Sequence, residues 1–456
     1  LKFNLICLCM SLTYMSAAHG STLIELYSNG VKNNLSVNAE RVAYLAGLEG
    51  EKQSFAQLLP QLKLSAHVRY DAQTQALDTH NLLQYKGAQK SASDAAEYEL
   101  GLSQRLFDLP AYYDYKGSQY GSTQAKVKFQ QALSTYTSDF LSAYLDVVEA
   151  QEKLLFIQET LDAYEKQSSI ITNRYAVGLV KISELKESES QQLKVESDEI
   201  LAKNDLALAF EQLSLVTQVD VDAIHALSGE IPVLHNPAES ITHLQKKFKN
   251  NWGFKLASLD LTVANENWKA KKAKHLPTVT SRLSYTDSNT DSTYNFQHPD
   301  TLNRHGWNIG VYLEMPIYNG GGVSSASSEA KLSMERAKYM KKLKQLEVKQ
   351  QILKNHRTLR AISHSLAANG LAVEAVELAL KNSEDEYFSG LGPFSRVLDN
   401  RARLMSEKVQ LIQEKYQYVK LYISLKEVMG ELSNTEVGFL NRLFSGVLAQ
   451  RVTVDK

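Results

Sequence analysis

The feature that most limits this chain is a heptad repeat carried through very long segments. From about residue 111 to 172, Leu133, Phe140, Val147, Leu154 and Leu161 recur every seven residues. A second series runs Tyr136, Ala143, Ala150, Ile157, Tyr164 and Ile171. About five heptads of a/d patterning predict one long helix with an apolar seam. From about 395 to 432 the repeat is Val397, Leu404, Leu411, Tyr418, Leu425 and Leu432, with Leu398, Met405, Ile412 and Val419 beside it. Adjacent doublets give a helix two seams, and hence a packed neighbour on each side. From about 323 to 387 the series Leu332, Tyr339, Leu346, Leu353 gives way to Leu359, Leu366, Val373, Leu380, Tyr387. The step from 353 to 359 breaks the heptad, so the supercoil should change there. At 1.5 Å per residue some 65 residues reach roughly 100 Å, far beyond the helices of ordinary globular enzymes. None of the eight prolines falls inside these segments, as long helices require.

The chain also repeats itself. Leu59-Pro60 and Leu276-Pro277 each open a strand-like run. Leu106-Phe107-Asp108 is echoed by Ile317-Tyr318-Asn319, and Asn173 to Leu179 by Asp385 to Leu391. The offsets are 217, 211 and 212 residues. Echoes in one order at nearly one offset indicate a duplication of a large motif, too long for a solenoid unit. Each half reads helix, strand, polar loop, strand, then two long helices joined by a Gly-containing turn. The expected organisation is a signal peptide over 1–20, a first repeat over 21–231, a second over 232–435 and a C-terminal tail over 436–456.

The strands alternate. Leu62, Leu64, Ala66, Val68 and Tyr70 oppose Gln61, Lys63, Ser65, His67 and Arg69; the runs ending at Arg105, Tyr285 and Met315 behave alike. Runs of about 10 residues suit tilted membrane strands, and Tyr70, Tyr98, Tyr285 and Trp307 sit at one end of their runs, as an aromatic girdle would. A half-buried soluble strand shows the same alternation. The connections 71–96 and 287–306 read as long polar loops. Four strands cannot close a barrel, for which about eight are needed, so membrane strands here demand several chains.

Composition narrows the class. Fifty Lys+Arg against 51 Asp+Glu gives a net charge of −1, which offers nucleic acid no basic face. Lys2 followed by the apolar run Phe3–Tyr14 and small residues at 16–20 reads as an export signal. Both cysteines, Cys7 and Cys9, lie inside it, so the exported chain is expected to hold no disulfide, thiol nucleophile or Cys-ligated metal. No later run of 18 apolar residues exists, which excludes membrane-spanning helices. Gly320-Gly321-Gly322 lacks the Lys-Ser/Thr of a phosphate loop, and the 11 histidines include no HxxxH or HExxH pair. No catalytic residue, cofactor site or metal site is found.

The motifs Leu59-Pro60-Gln61-Leu62, Gln104-Arg105-Leu106-Phe107-Asp108 and Met315 to Gly321, with the turns Arg174 to Leu179 and Tyr387 to Leu391, carry a resemblance. The chain resembles the TolC family of outer-membrane channel-tunnel proteins over essentially its whole length. The resemblance implies a mainly α fold with membrane β: a homotrimer whose 12-stranded β-barrel continues into a periplasmic α-helical barrel. It implies a periplasmic membrane-fusion adaptor, an inner-membrane ABC or proton-driven pump, and outer-membrane lipid as partners. It assigns Val177, Gly178, Leu179, Ser389, Gly390 and Leu391 to the adaptor-contacting helix tips. Glu184, Tyr387, Arg396 and Asp399 fall at the tunnel gate and constriction. Gly392 stands where the family pattern has a gate arginine, and Arg396 where it has an acidic residue. Arg396 and Asp399, three apart on one helix, are expected to pair and so to weaken cation selectivity.

The polar strand residues Lys63, His67, Arg69, Glu97, Glu99, Arg282 and Glu314 should line the barrel lumen. Leu64, Val68, Leu100, Leu283, Ile309, Val311 and Leu313 should meet lipid. The function expected is that of an outer-membrane exit duct in a tripartite export system, with no bond chemistry, conducting substrate passively for type I protein secretion. Multidrug efflux uses the same architecture, and a periplasmic coiled-coil scaffold is the reading of a different class.

Overall fold

The computed structural model describes residues 22–78, 86–225, 241–294, 300–443 and 448–450. The expected signal over 1–20 and the expected junction at 231/232 lie outside the described residues. In chain order the helices and strands are α1 (Leu23–Asn33), α2 (Leu35–Ala56), β1 (Gln61–Asp78), β2 (Lys86–Phe107), α3 (Leu109–Ala176), α4 (Ile182–Thr217), β3 (Ala223–His225), α5 (Ile241–Lys246), α6 (Trp252–Ala273), β4 (Thr278–Tyr294), β5 (Asp300–Glu314), α7 (Gly322–Phe388), α8 (Phe394–Val428), α9 (Asn434–Leu443) and β6 (Leu448–Gln450). The order α2-β1-β2-α3-α4 recurs as α6-β4-β5-α7-α8. Two compact units cut across both repeats: one holds the residues up to Arg41, Phe129–Lys255 and Lys344 onward, the other Val42–Lys128 and Leu256–Leu343.

In the second unit β1, β2, β4 and β5 form one antiparallel sheet in that order, so β1 and β5 are its two edges. The stretches expected as loops are strand wherever they are described. Asp71 pairs with Ser93, Thr74 with Lys90, Asp287 with His305 and Asn289 with Asn303. Apolar alternation stops at Tyr70 and Tyr285, but the ladder does not, because its hydrogen bonds need only backbone. Neither 71–78 nor 287–294 contains a Pro or Gly to stop the ladder. Beneath the sheet, the start of α3 packs on α2 through Phe55 and Tyr115, whose rings are 5.3 Å apart.

In the first unit the seams predicted by heptads are buried. Tyr136, Phe140, Ala143, Val147, Ala150, Leu154, Ile157, Tyr164 and Ile171 all lie in the core of α3. On α8, Val397 with Leu398 and Tyr418 with Val419 are buried as doublets, as two-sided packing requires. α7 behaves differently along its length. Leu359, Val373 and Tyr387 are buried, whereas Leu332, Tyr339 and Leu346 from before the heptad break are exposed. The break marks where the series read from the sequence passes from an exposed face to the buried one, which Val348 and Ile352 already occupy before it. Polar side chains lock the hairpins: Lys153 to Asp205 at 2.9 Å joins α3 to α4, and Asn400 to Ser383 at 3.1 Å joins α8 to α7. Lys415, bonded to Glu152 at 2.9 Å, and Lys420, at 2.7 Å from Glu149, tie α8 to α3. The expected tail contributes most of α9 and the strand β6, which pairs with β3.

Candidate functional site

Two surfaces carry the residues expected from the sequence to be functional. The first is the sheet. Its register aligns Leu64, Leu100, Tyr285 and Trp307 in one row, and Leu62, Leu102, Leu283 and Ile309 in the next. Side chains two apart share a face, so one face is apolar over Leu62–Tyr70, Tyr98–Leu102, Val279–Tyr285 and Trp307–Leu313. This face is open: Val68 is 87% and Ile309 83% exposed. The seven expected lumen residues, Lys63, His67, Arg69, Glu97, Glu99, Arg282 and Glu314, all fall on the opposite face by the same register. There Arg69 pairs with Asp71 at 2.6 Å, and Arg282 lies over the Tyr312 ring at 5.4 Å.

The apolar band slants. It ends at Tyr70 on β1, at Tyr98 on β2, and at Tyr285 and Trp307 on β4 and β5, whose rings are 5.0 Å apart. Tyr98 is level with Ala66, and the Tyr285–Trp307 pair with Leu64. The edge therefore falls by about 20 Å along the strands, at 3.3 Å per residue, across three strand spacings. An aromatic edge that lies flat at a membrane surface needs strands tilted steeply to the membrane normal, as in a barrel wall. Farther from the helices the former apolar face turns polar, with Asp94, Asp287, Asp291 and His305.

The second surface is the pair of helix tips in the other unit. α3 ends in a Schellman turn: Gly178 N–H donates to Tyr175 C=O at 2.9 Å and Leu179 N–H to Arg174 C=O at 2.9 Å. α7 ends the same way, with Gly390 N–H donating to Tyr387 C=O at 3.0 Å and Leu391 N–H to Glu386 C=O at 2.8 Å. Gly178 and Gly390 hold φ of 76° and 74°, the left-handed region that glycine occupies without penalty. A Schellman turn commonly packs its final apolar residue on the helix. Here Leu179 and Leu391 stay out, with Leu391 83% exposed, and Val177 is exposed as well, while Ser389 caps the second tip beside them.

The two tips are joined by Tyr387, which is 8% exposed. Its hydroxyl donates to Glu184 Oε2 on α4 at 3.3 Å, and Arg174 of α3 lies over its ring at 5.2 Å. Phe394 of α8 packs on it with ring centres 5.1 Å apart. Burial pushes the Tyr387 phenol above its ordinary range, Arg174 works against that and Glu184 reinforces it. The structure thus brings Glu184 and Tyr387 together. It does not pair Arg396 with Asp399. Arg396 Nη1 donates to Glu386 Oε2 at 2.7 Å, and Asp399 stands exposed one turn along α8. The expected pair fails because Glu386 faces Arg396 directly across the tip turn.

Arg174, Glu386 and Phe394 are the tip residues the sequence reading passed over. At the 212-residue offset Arg174 corresponds to Glu386 and Glu184 to Arg396, with both charges reversed. That reciprocity was the available signal.

The family profile described as outer membrane efflux protein matches in two blocks, residues 26–217 and 244–431. The chain belongs to the outer membrane efflux protein family. It is 25% identical to outer membrane protein TolC of Escherichia coli K12, over 95% of this chain and 87% of TolC. It is 21% identical to the proteases secretion protein PrtF of Dickeya chrysanthemi, over 92% of this chain and 90% of PrtF. The crystal structure of the outer membrane protein VceC from Vibrio cholerae has the same fold, with a TM-score of 0.73 at 14% identity, covering 90% of this chain and 96% of VceC. As a member of this efflux family the chain is a channel protein of the outer membrane, extending into the periplasm, and not an enzyme. Family membership removes the scaffold alternative.

Proposed function

We propose that three copies of this chain close one 12-stranded barrel and that the assembly is the exit duct of a type I protein secretion system. The observation that carries the assembly is the incompleteness of a single copy. Its sheet has two unpaired edges, β1 and β5. Its long helices expose further apolar heptads, Leu201, Leu208 and Leu215 on α4 and Leu371 and Leu378 on α7. Unpaired edges and apolar seams both demand a partner of the same kind. In this reading the polar sheet face lines the pore, the apolar face meets lipid, and the 21–231 and 232–435 repeats each supply one hairpin of the wall.

The exposed tip residues Val177, Leu179 and Leu391, around Gly178, Ser389 and Gly390, are the surface for a periplasmic adaptor, which couples the duct to an ABC pump. Tyr387, held by Glu184 and Arg174, clasps the two tips of each copy and keeps the entrance narrow. Secretion as the cargo class is supported by the relative named for protease secretion. Multidrug efflux, with a proton-driven pump, is the second reading and is supported by the family description. Deletion of the gene decides between them. Loss of one or more large proteins from the culture medium at unchanged drug susceptibility is expected, and the reverse pattern would overturn secretion in favour of efflux. Light scattering of the purified protein tests the assembly, with a mass three times that of one chain expected and a monomer fatal to it.

A further inference from the structure

Arg401 of α8 joins the two hairpins at a level away from the tips. Its side chain is only 12% exposed. Nη1 donates to the C=O of Ala163 on α3 at 3.1 Å, and Nη2 bonds the Glu384 carboxylate on α7. The guanidinium lies over the buried Tyr164 ring at 5.4 Å. α7 and α8 form one hairpin and α3 belongs to the other, so one side chain ties three helices. A planar fork of donors serves carbonyl and carboxylate at once, and a helix carbonyl keeps a second lone pair for it. At the 212-residue offset Arg401 corresponds to Glu189, which bonds Lys186 of its own helix at 2.7 Å. The tie is thus made from the second hairpin alone.

The ties between the hairpins fall on one stripe of α3. Arg174 lies over Tyr387 at the tip, Ala163 meets Arg401, and Glu152 bonds Lys415 at 2.9 Å. The spacing is 11 residues each time, or three turns, which sets the levels about 16 Å apart. Between the tip and Arg401, Gln167 lies three residues beyond Tyr164 on the same face. It is buried, yet its Nε2 has no hydrogen-bond partner. A buried donor without an acceptor costs free energy that water restores when the surface opens, so this stretch favours parting. Beyond Arg401, α8 and the first hairpin leave a cleft of about 710 Å³ that runs from Tyr164 and Ala402 to Lys153 and Gln417. Lys408 lies over the Phe156 ring there at 5.4 Å, a half-buried contact of the weaker kind. Little packing backs Arg401 up.

We infer that Arg401 is a positioning residue for gating, a stop that limits how far the hairpins part and so sets the width of the opened entrance. This rests on the reading of the tips as the tunnel entrance and of Tyr387 as its clasp. Once the clasp is released, the second hairpin swings about Arg401. Without Arg401, the next hydrogen-bonded tie from α8 to α3 among the described residues is Lys415 to Glu152. The free length of hairpin then grows from about 16 Å to about 33 Å. For one angle of swing the tip travels about twice as far.

Single-channel conductance of the full-length protein in planar bilayers tests this, with Tyr387→Ala and Arg401→Ala made singly and together. Arg401→Ala alone should raise conductance only slightly, because the tip stays clasped. Tyr387→Ala should conduct several-fold more than wild type, and the double variant about twofold or more above Tyr387→Ala. An Arg401 that only stabilises the fold would lower thermal stability in both backgrounds and leave the double variant at the conductance of Tyr387→Ala. That result overturns the inference. So does an Arg401→Ala conductance as high as that of the double variant, which would make Arg401 the clasp itself. Should Arg401→Ala give no folded channel, Glu384→Gln decides by the same comparison, since it keeps the side-chain shape but loosens the hold on the guanidinium. Wild-type conductance in Tyr387→Ala would instead sink the clasp reading, and the inference with it.

Discussion

The two helix tips are copies of one turn put to different uses. Each ends its first helix with a glycine at positive φ and carries an exposed leucine after it. Each has a tyrosine at the same place, Tyr175 in the first and Tyr387 in the second. Tyr175 is 41% exposed and Tyr387 only 8%. The flanking charges are reversed between the copies. In the second tip Glu386 and Arg396 bond each other. In the first, no ion pair joins Arg174 to Glu184; both turn to Tyr387 of the second tip instead. One charge pair lies within its own hairpin, and the corresponding residues of the other hold the neighbouring hairpin. The backbone of the turn is common to both, and side-chain chemistry alone distinguishes clasp from clasped.

The sharpest way to break this comparison is to remove each tyrosine in turn. Tyr387→Ala takes away the hydroxyl held by Glu184, the ring under Arg174 and the packing on Phe394, at a buried site where such losses run to about 3 kcal/mol or more. Single-channel conductance should rise several-fold. Tyr175→Ala, at an exposed site, should leave conductance at the wild-type level. Equal effects of the two would show that the tips are not differentiated as described. Next in size is Arg174→Ala, which removes only the cation over the Tyr387 ring, a contact of about 0.5–2 kcal/mol. Its conductance should fall between wild type and Tyr387→Ala. Smaller again, Gly178→Ala and Gly390→Ala each force an ordinary residue into the left-handed region, at about 1 kcal/mol of local strain. Because the backbone turn is common to both tips, the two substitutions should lower thermal stability by similar amounts. A large difference would mean that the turns are less alike than their hydrogen bonds imply.

Much of this was legible in the sequence. Heptads gave the long helices to within a few residues of Leu109–Ala176 and Gly322–Phe388, because an apolar seam repeats every two turns whatever lies across from it. Period-2 alternation separated the faces of the sheet, and all seven polar residues chosen from it fall on one face. What escaped was whatever depends on partners distant in sequence. The strands continue past Tyr70 and back from Asp94 because each has a ladder to join, and nothing in their polar side chains announces it. Arg396 was matched with Asp399 by helical spacing, yet Glu386, ten residues earlier, reaches it first across the turn. The clasp at Tyr387 joins residues about two hundred positions apart. Only the reversed charges of the two repeats hinted at it.

The finest test of the difference between the tips is titration. Tyr387 donates its proton to Glu184, so the clasp requires the neutral phenol. Burial, with Glu184 adding to it and Arg174 opposing, raises the pKa of that phenol above the ordinary 10.0. A group whose pKa is raised on folding gives its full stabilisation below the unfolded value, and loses it as pH rises through the folded one. The clasp should therefore hold unchanged from neutral pH up to about 10 and loosen only in stronger alkali. Conductance of the wild type should be flat over the lower range and climb beyond it. Tyr387→Phe keeps the ring under Arg174 but has no proton to lose, so its conductance should start slightly above wild type and show no alkaline climb of this origin. Lysines titrate in the same range, and the phenylalanine variant retains all of them. A climb of equal size in both proteins would assign the alkaline response to those lysines and leave the Tyr387 hydroxyl without a part in holding the tips together.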